Sequence, residues 1–150
     1  MAPKYKQGIF RPSRPEKYAG DPTRIVYRSG LELRLASWLD THSSVRKWSS
    51  EETIVPYRDP FDSSRVRRYF PDFVVWFTSG RVMMIEVKPD KETRPPSSPV
   101  KKTARSEKRM IVESLTYAKN AAKWNAAKKY CETRGWEFKI MTEKEIPNIG

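Results

Sequence analysis

Two acids and a lysine lie in a strongly apolar part of this chain, the stretch from Tyr69 to Lys88. Asp72 follows a proline near its start, and Glu86 and Lys88 flank one valine at its end. Charged groups inside apolar runs cost free energy unless they are paired or bind a metal. Two neighbouring carboxylates suit Mg²⁺ or Mn²⁺, and a lysine beside such an ion can orient a water or stabilise negative charge on a phosphate.

The same stretch predicts a β-hairpin, and the length of its turn decides whether the two acids meet. Val, Ile, Phe, Trp and Met dominate both arms, and residues 78–80, Thr-Ser-Gly, supply the turn. A loop of these residues with Gly80 left-handed places Asp72 directly opposite Glu86, with Cβ atoms about 5 Å apart. Lys88 then points to the same face as Glu86. A shorter loop would place the two acids on opposite faces.

The spacing Pro71-Asp72 followed by Glu86-Val87-Lys88 resembles the Pro-Asp…(Asp/Glu)-X-Lys signature of restriction-endonuclease-like nucleases. The resemblance implies that Asp72 and Glu86 bind a divalent metal, Mg²⁺ or Mn²⁺. It also implies that the backbone carbonyl of Val87 is a metal ligand and that Lys88 assists the attacking water. The alternative is an edge hairpin that carries an ordinary Glu–Lys pair.

Glu32 has two interpretations, both tied to the first predicted helix. Ser29 as N-cap with Glu32 at the third helical position forms a capping box, which would only start the helix. Many members of the nuclease family place a glutamate on this helix, so the resemblance favours Glu32 as a third catalytic acid that faces the metal. The helix itself is predicted by four apolar residues at helical spacing: Leu31, Leu35, Trp38 and Leu39.

The composition favours a polyanionic partner. The chain has 30 Lys and Arg residues against 18 Asp and Glu, a net charge of +12, and nucleic acid is the usual partner of such a positive field. An anionic membrane would also attract it, but no long apolar segment or lipidation motif is present, so we expect no membrane association. Cys131 is the single cysteine, which excludes an internal disulfide and fits a reducing compartment.

Basic residues near the acids are candidates for contact with DNA. They are Arg28, Arg67, Arg68, Lys101, Lys102 and Lys123. Arg67 and Arg68 precede the acid pair and could hold a phosphate, or could equally be solvated strand residues. Lys123 lies in a predicted helix, where it could reach a phosphate or belong to a solvated basic face.

The chain is predicted to form one domain with two basic extensions. Residues 1–22 are interpreted as an extended basic arm, laid on DNA or on the body of the fold, or as a disordered terminus. Residues 23–150 form the single nuclease-like domain. Within it, residues 89–108 are rich in Pro, Ser and Lys and are interpreted as a mobile loop. That loop would grip DNA or serve only as a linker.

Further elements follow from periodicity and turn residues. They are a strand at 51–57 ended by Pro56, a loop at 59–64, a helix at 106–134 with a possible break at 117–120 and a cap at Gly135, a final strand at 136–141 and a short helix begun by Thr142. The order helix, three strands, helix, strand predicts an α/β sandwich, a mixed sheet flanked by helices. This αβββαβ order is also that of the restriction-endonuclease-like core.

Across nearly its whole length the sequence also resembles the head-completion nucleases of T-even-like tailed phages. Tracts that carry this resemblance include Tyr27-Arg-Ser-x-x-Glu32-Leu, Trp48-x-Ser-Glu-Glu, Arg68-Tyr-Phe-Pro-Asp-Phe73, Ile85-Glu-Val-Lys-Pro89 and Arg134-Gly-Trp-Glu-Phe138. The resemblance implies a metal-dependent DNA endonuclease that acts in phage head completion, after DNA packaging and before tail joining. It implies double-stranded DNA and portal or neck proteins as partners. The expected location is the bacterial host cytoplasm during infection or the virion head.

Two alternatives stay open on the sequence. The first is a catalytically idle head protein that binds DNA ends. The second is a transposon-end or junction nuclease, since the endonuclease subunit of heteromeric transposases shares the Glu…Pro-Asp…Glu-x-Lys layout. This second alternative requires a partner or a dimer surface, and no exposed apolar stripe for a dimer is evident in the sequence.

Overall fold

The computed structural model describes residues 7–146. The described chain contains two α-helices, α1 (Gly30–Thr41) and α2 (Ala104–Glu132). Its strands are β1 (Gly8–Phe10), β2 (Ile25–Tyr27), β3 (Val45–Ser50), β4 (Val55–Asp59), β5 (Asp62–Tyr69), β6 (Phe73–Phe77), β7 (Val82–Val87) and β8 (Glu137–Met141). Short 3-10 turns occur at Pro15–Lys17 and Asp90–Thr93.

The central sheet is mixed and has the strand order β3-β6-β7-β8. β6 runs antiparallel to β3 and to β7, whereas β8 runs parallel to β7. A parallel neighbour needs a long crossover, and α2 supplies it. The order α1, β3, β6, β7, α2, β8 is the predicted αβββαβ order, so the expected α/β fold with a mixed sheet flanked by helices is confirmed.

Strand alternation divides the core into two layers, one on each face of the sheet. On one face Phe73, Val75 and Ile85 pack in a cluster with residues of α1, including Leu35 and Leu39. On the other face Val74 and Met84 pack in a cluster with Trp124, Ala127 and Cys131 of α2. The β4–β5 hairpin covers the α2 face as well, through Val55, Tyr57 and Tyr69. Asp72 and Glu86 have even numbers like Val74 and Met84, and so belong to the α2 face.

The described part of the basic N-terminal segment packs on the body of the fold. β1 pairs with β2, and Phe10 and Tyr18 are buried in the α1-side cluster. The backbone N–H groups of Ser13 and Arg14 donate to the Asp40 carboxylate at 2.7 and 3.1 Å. Residues 7–22 therefore take the second of the two placements expected for the arm, and residues 1–6 lie outside the described part.

The strands before the central hairpin differ from the prediction. β3 was not predicted, because its sequence, Val-Arg-Lys-Trp-Ser-Ser, has only two apolar residues. The strand expected at 51–57 begins instead at Val55, and Pro56 lies inside β4, where a two-stranded hairpin tolerates a missing N–H. The expected loop at 59–64 is a tight turn, since β5 already starts at Asp62. The first core strand is therefore β3, and β4–β5 is an added hairpin.

The segment after the central hairpin is shorter than expected, because the following helix begins two residues earlier than predicted and has the predicted length. Within the predicted loop at 89–108, residues 90–93 form a 3-10 turn and α2 begins at Ala104. The helix is unbroken through residues 117–120 because a capping box of Thr103 and Ser106 starts it and a buried stripe holds its second half. Gly135 has φ 69°, the left-handed conformation expected of a C-terminal cap.

α2 exposes apolar side chains that the sequence did not single out. All its buried residues lie in its second half, from Asn120 to Cys131. The first half extends beyond the sheet, so Ile111, Val112 and Leu115 are 61%, 61% and 48% exposed. The expectation of no exposed apolar stripe is therefore wrong for this helix.

The end of the described chain forms a turn. The Thr142 carbonyl accepts the N–H groups of Glu145 and Ile146 at 3.0 and 3.1 Å. Residues 147–150, where the predicted short helix would continue, lie outside the described part. In the part of the chain that the structure describes, neither helix is apolar enough over sufficient length to cross a membrane.

Candidate active site

The turn of the β6–β7 hairpin has the geometry that brings the two acids together. Gly80 has φ 94°, its N–H donates to the Phe77 carbonyl at 3.0 Å, and the Phe77 N–H donates to the Arg81 carbonyl at 2.9 Å. This is the predicted loop of Thr78, Ser79 and Gly80. Since Phe73 pairs with Ile85, the preceding Asp72 lies opposite Glu86 at the open end of the hairpin.

Glu86 is buried, and two neutral donors hold one of its oxygens. The exposed fraction of Glu86 is only 7%. Oε2 accepts the Tyr69 hydroxyl at 2.7 Å and the Trp124 indole N–H at 3.2 Å. No local sequence pattern relates either donor to Glu86. Both come from elements on the α2 face, β5 and α2, so the orientation of Glu86 is fixed by tertiary packing.

Asp72 is held by the strand that carries Glu86. Its Oδ2 accepts the Val87 N–H at 2.7 Å. The pKa of Asp72 is raised well above the usual range, first by burial, then by the negative charge of Glu86 and by a hydrogen bond with the Glu86 side chain. Burial and the neighbouring carboxylate thus disfavour the charged form of Asp72, and a cation between the two acids would favour it.

Glu32 serves the helix and faces the acid pair. The Ser29 hydroxyl accepts the Glu32 N–H at 3.2 Å, which is the predicted N-cap. The Glu32 carboxylate accepts the N–H of Arg28 at 3.1 Å, one residue before the capping-box position. Burial raises the pKa of Glu32, and the charges of Glu51 and Glu86 raise it further. The structure thus shows the predicted N-cap and places Glu32 within electrostatic reach of the other acids, and the catalytic role of Glu32 stays a prediction.

Glu51 is a fourth acid at this end of the sheet, and it was not predicted from the sequence. Its N–H donates to the Asp72 carbonyl at 3.1 Å. Ser50 pairs with Phe73, so Glu51, Asp72 and Glu86 form one row across β3, β6 and β7. Glu51 also has φ 53°, a strained conformation for a residue with a side chain. Only the position of β3 could have indicated that Glu51 lies beside the other acids, and the polar sequence of β3 does not predict a strand.

Two lysines lie beside the acid row. Lys88 continues β7, and its N–H donates to the Met141 carbonyl of β8 at 3.0 Å. Lys123 of α2 lies with its Nζ 5.8 Å from the centre of the Tyr69 ring. Burial lowers the pKa of Lys123, the charges of Lys88 and Lys119 lower it further, and the charges of Glu86 and Asp72 oppose this shift. Lys123 is thus half-buried and within electrostatic reach of Asp72 and Glu86.

The other candidate DNA contacts are spread around the site. The Arg28 guanidinium binds Glu51 at 3.1 Å, next to the acids. Arg67 of β5 is engaged by Asp59 in the hairpin turn, whereas its neighbour Arg68 is exposed. Lys101 and Lys102 are exposed in the segment before α2. The structure therefore brings Arg28 and Lys123 to the acid row and leaves Arg67 in an ion pair.

The donor set fits a divalent cation, although the side chains are not gathered around one point. Among residues 7–146, no group of at least three His, Cys, Asp or Glu side chains is arranged to hold a metal ion. Each carboxylate is instead held by donors of its own: Asp72 by the Val87 N–H, Glu86 by Tyr69 and Trp124, and Glu32 by the Arg28 N–H. The pKa of Asp72 is raised by burial and then by the charge of Glu86, and a cation would offset both effects. The Val87 carbonyl lies on the Asp72 side of β7, as its N–H does.

Comparison with known proteins gives two matches. Residues 42–143 match the family described as TnsA-like endonuclease N terminal. The chain is also 38% identical, over 143 residues, to the head completion nuclease of Enterobacteria phage T4, and the match covers 95% of each chain. The family match includes β3, Glu51, Asp72, Glu86, Lys88 and Lys123, whereas α1 with Glu32 lies before it.

Proposed function

Because the chain belongs to the TnsA-like endonuclease family, we propose that it is a metal-dependent DNA endonuclease that hydrolyses phosphodiester bonds. The single observation that carries this proposal is the opposed pair of Asp72 and Glu86, with the raised pKa of Asp72. A buried, mutually repelling acid pair costs stability. Its presence is understandable if the pair binds a cation.

The residues that would hold Mg²⁺ or Mn²⁺ are Asp72, Glu86 and Glu32, with the Val87 backbone carbonyl. A divalent ion bound there would lower the pKa of a water and neutralise negative charge on a phosphate. Asp72 and Glu86 come from adjacent strands, so the rigid sheet sets their spacing. Glu32 comes from the start of α1, where Ser29 fixes the helix terminus.

The two lysines would act on the water and on the phosphate. Lys88 lies two residues past Glu86 on the same face, where it can orient the attacking water and stabilise the hydroxide that forms. Lys123 is half-buried, so its ammonium group is poorly screened by solvent and stabilises negative charge on the phosphate more strongly than an exposed lysine would. Arg28 can exchange Glu51 for a phosphate oxygen when DNA binds.

Double-stranded DNA is the substrate class that the charge favours. The net charge of +12 attracts a polyanion, and Arg68, Lys101 and Lys102 are exposed and free to contact it. Contacts from such residues to phosphates release counterions and give affinity without regard to base sequence.

The relative in phage T4 is named for head completion, and we extend this role to the chain. In this proposal it cleaves DNA in phage head completion, after packaging and before tail joining, with portal or neck proteins as partners. It would then act in the cytoplasm of the infected bacterium or in the virion head.

The test is cleavage of supercoiled plasmid by the wild type and by Lys88→Ala, with Mg²⁺, with Mn²⁺ and with chelator. We expect metal-dependent nicking that Lys88→Ala reduces by about 100-fold or more. Lys129→Ala is the matched control, since this substitution removes the same charge from an exposed position on α2. Tight, salt-sensitive binding without cleavage would instead indicate an idle protein that binds DNA ends. Cleavage unchanged in Lys88→Ala would contradict the assigned site.

A further inference from the structure

We infer that Tyr69 and Trp124 are positioning residues that fix the rotamer of Glu86 and thereby set the affinity of the site for a divalent cation. The inference rests on the proposed function, because it concerns the same metal site. It starts from a feature that the metal-binding signature does not contain: both side chains donate to one oxygen of Glu86, at 2.7 and 3.2 Å.

The pair acts as a clamp because both donors are buried. Tyr69 and Trp124 are 4% and 5% exposed, so little water is present to exchange with either hydrogen bond. Tyr69 reaches Glu86 from the end of β5, and Trp124 reaches it from the middle of α2. A rotation of the carboxylate would leave two buried donors without their acceptor, which costs free energy.

The chemistry of the two donors preserves the charge that a cation needs. A lysine or arginine bound to Glu86 would neutralise it, whereas a phenol and an indole are neutral hydrogen-bond donors. Because both donors hold Oε2, the other oxygen of Glu86 is the one available to a cation. Mg²⁺ and Mn²⁺ sites depend on well-placed oxygen ligands. Outer partners that orient a ligand typically change metal affinity about 10- to 100-fold.

The clamp also ties the site to the layer that covers it. Trp124 packs edge-on against Tyr117, with ring centres 6.2 Å apart, and Tyr69 packs in the same cluster as Val74 and Met84. The β4–β5 hairpin and α2 therefore meet at Glu86. Displacement of either element would release one donor and loosen the acid.

The test measures Mn²⁺ binding directly, by the electron paramagnetic resonance signal of free Mn²⁺ in titrations of the full chain without DNA. Tyr69→Phe and Trp124→Phe remove one donor each and keep an aromatic ring. We expect the Kd for Mn²⁺ to rise about 10-fold in each variant, and cleavage to recover as the Mn²⁺ concentration is raised. Tyr57→Phe is the control, since Tyr57 lies in the same cluster and its ring also flanks Lys123.

The outcomes separate this inference from the proposed function. A wild type that binds Mn²⁺ and cleaves DNA, with an unchanged Kd in Tyr69→Phe and Trp124→Phe, overturns the clamp alone. A wild type that binds no Mn²⁺ overturns the metal site and the clamp with it. Tyr69→Phe deletes a single oxygen, so it serves as the decisive variant if Trp124→Phe fails to fold.

Discussion

At the scale of single residues, the charged acids of the site lower the stability of the metal-free protein. Asp72 ionises against burial and against the charge of Glu86, which raises its pKa, and burial does the same to Glu32. In the unfolded chain both groups return to ordinary carboxyl pKa values, near 4. Between those values and the raised ones the folded protein binds more protons than the unfolded chain. Its stability without metal therefore falls as the pH rises through that window.

Replacing Asp72 with asparagine is expected to stabilise the metal-free protein and abolish cleavage. The amide oxygen can still accept the Val87 N–H, and the amide N–H can donate to Glu86. We expect the free energy of unfolding at neutral pH to rise by about 1 kcal/mol, measured by denaturant titration in chelator. Glu113→Gln removes the same charge from an exposed position on α2 and should change little. A less stable Asp72→Asn variant would contradict the strain assigned to this acid.

Divalent metal is expected to stabilise the protein more at high pH than at low pH, which opposes the pH dependence of the metal-free protein. Protons and the cation compete for Asp72 and its neighbours, and a ligand that binds only the folded state raises the melting temperature. We therefore expect Mn²⁺ to raise the melting temperature strongly at pH 8 and weakly at pH 5. Thermal melts across this range, with and without Mn²⁺, measure the difference. An equal rise at both pH values would show that the cation binds away from the raised-pKa acids.

At the scale of elements, the turn of the β6–β7 hairpin decides the register of the site. Gly80 has φ 94°, and no atom lies close to where a Cβ would be. A side chain there would therefore be disfavoured by the positive φ and not by a steric clash. The left-handed conformation is what lets Thr78, Ser79 and Gly80 close the hairpin. The loop conformation therefore sets the register in which Asp72 pairs with Glu86 at the other end of the strands.

Gly80→Ala is expected to lower the free energy of unfolding by about 1–2 kcal/mol, because alanine at positive φ is strained. Gly30→Ala is a matched control, since Gly30 also has open space around it but no positive φ, and alanine favours the helix that begins there. Denaturant unfolding of both variants measures the difference. Equal stability of the two variants would exclude the left-handed turn as the source of the register.

At the scale of the whole molecule, charge and shape act together. The basic residues outweigh the acidic ones by 12, while acids collect in one row at the end of the central sheet. The positive field attracts DNA over a distance of about one Debye length. The acid row repels phosphates locally unless a cation or a basic side chain intervenes. On the proposed function, binding and cleavage would therefore depend on different residues, and we expect mutation to separate them.

Replacing Lys101 and Lys102 by alanine is expected to weaken DNA binding through fewer phosphate contacts. Each lost contact lowers the slope of log K against log salt by about 0.9, so the double variant should lose up to about 2. Fluorescence anisotropy with labelled duplex in chelator, over a range of salt concentrations, measures the slope. Lys128→Ala with Lys129→Ala removes the same charge from exposed positions on α2 and serves as the control. Identical slopes in the two double variants would remove the loop from the DNA interface.

Several features were determined by the sequence alone, because they depend on neighbours along the chain. The hairpin turn at Gly80, the start of α1 at Ser29 and the helix cap at Gly135 follow from local backbone preferences and from hydrogen bonds between nearby residues. The opposition of Asp72 and Glu86 follows from counting back along the hairpin. The order of elements and the mixed α/β fold follow from apolar periodicity, even though the first core strand was misplaced.

Only the tertiary structure decided what surrounds the acid pair. Tyr69 and Trp124 are 17 and 38 residues from Glu86 in sequence, and no local pattern relates them to it. Glu51 lies in the row because β3 pairs with β6. The polar sequence of β3 does not predict that pairing. The half-burial of Lys123 depends on how α2 packs against the β4–β5 hairpin. Local preferences set the register of the acids, whereas long-range packing set their hydrogen bonds, their burial and hence their pKa values.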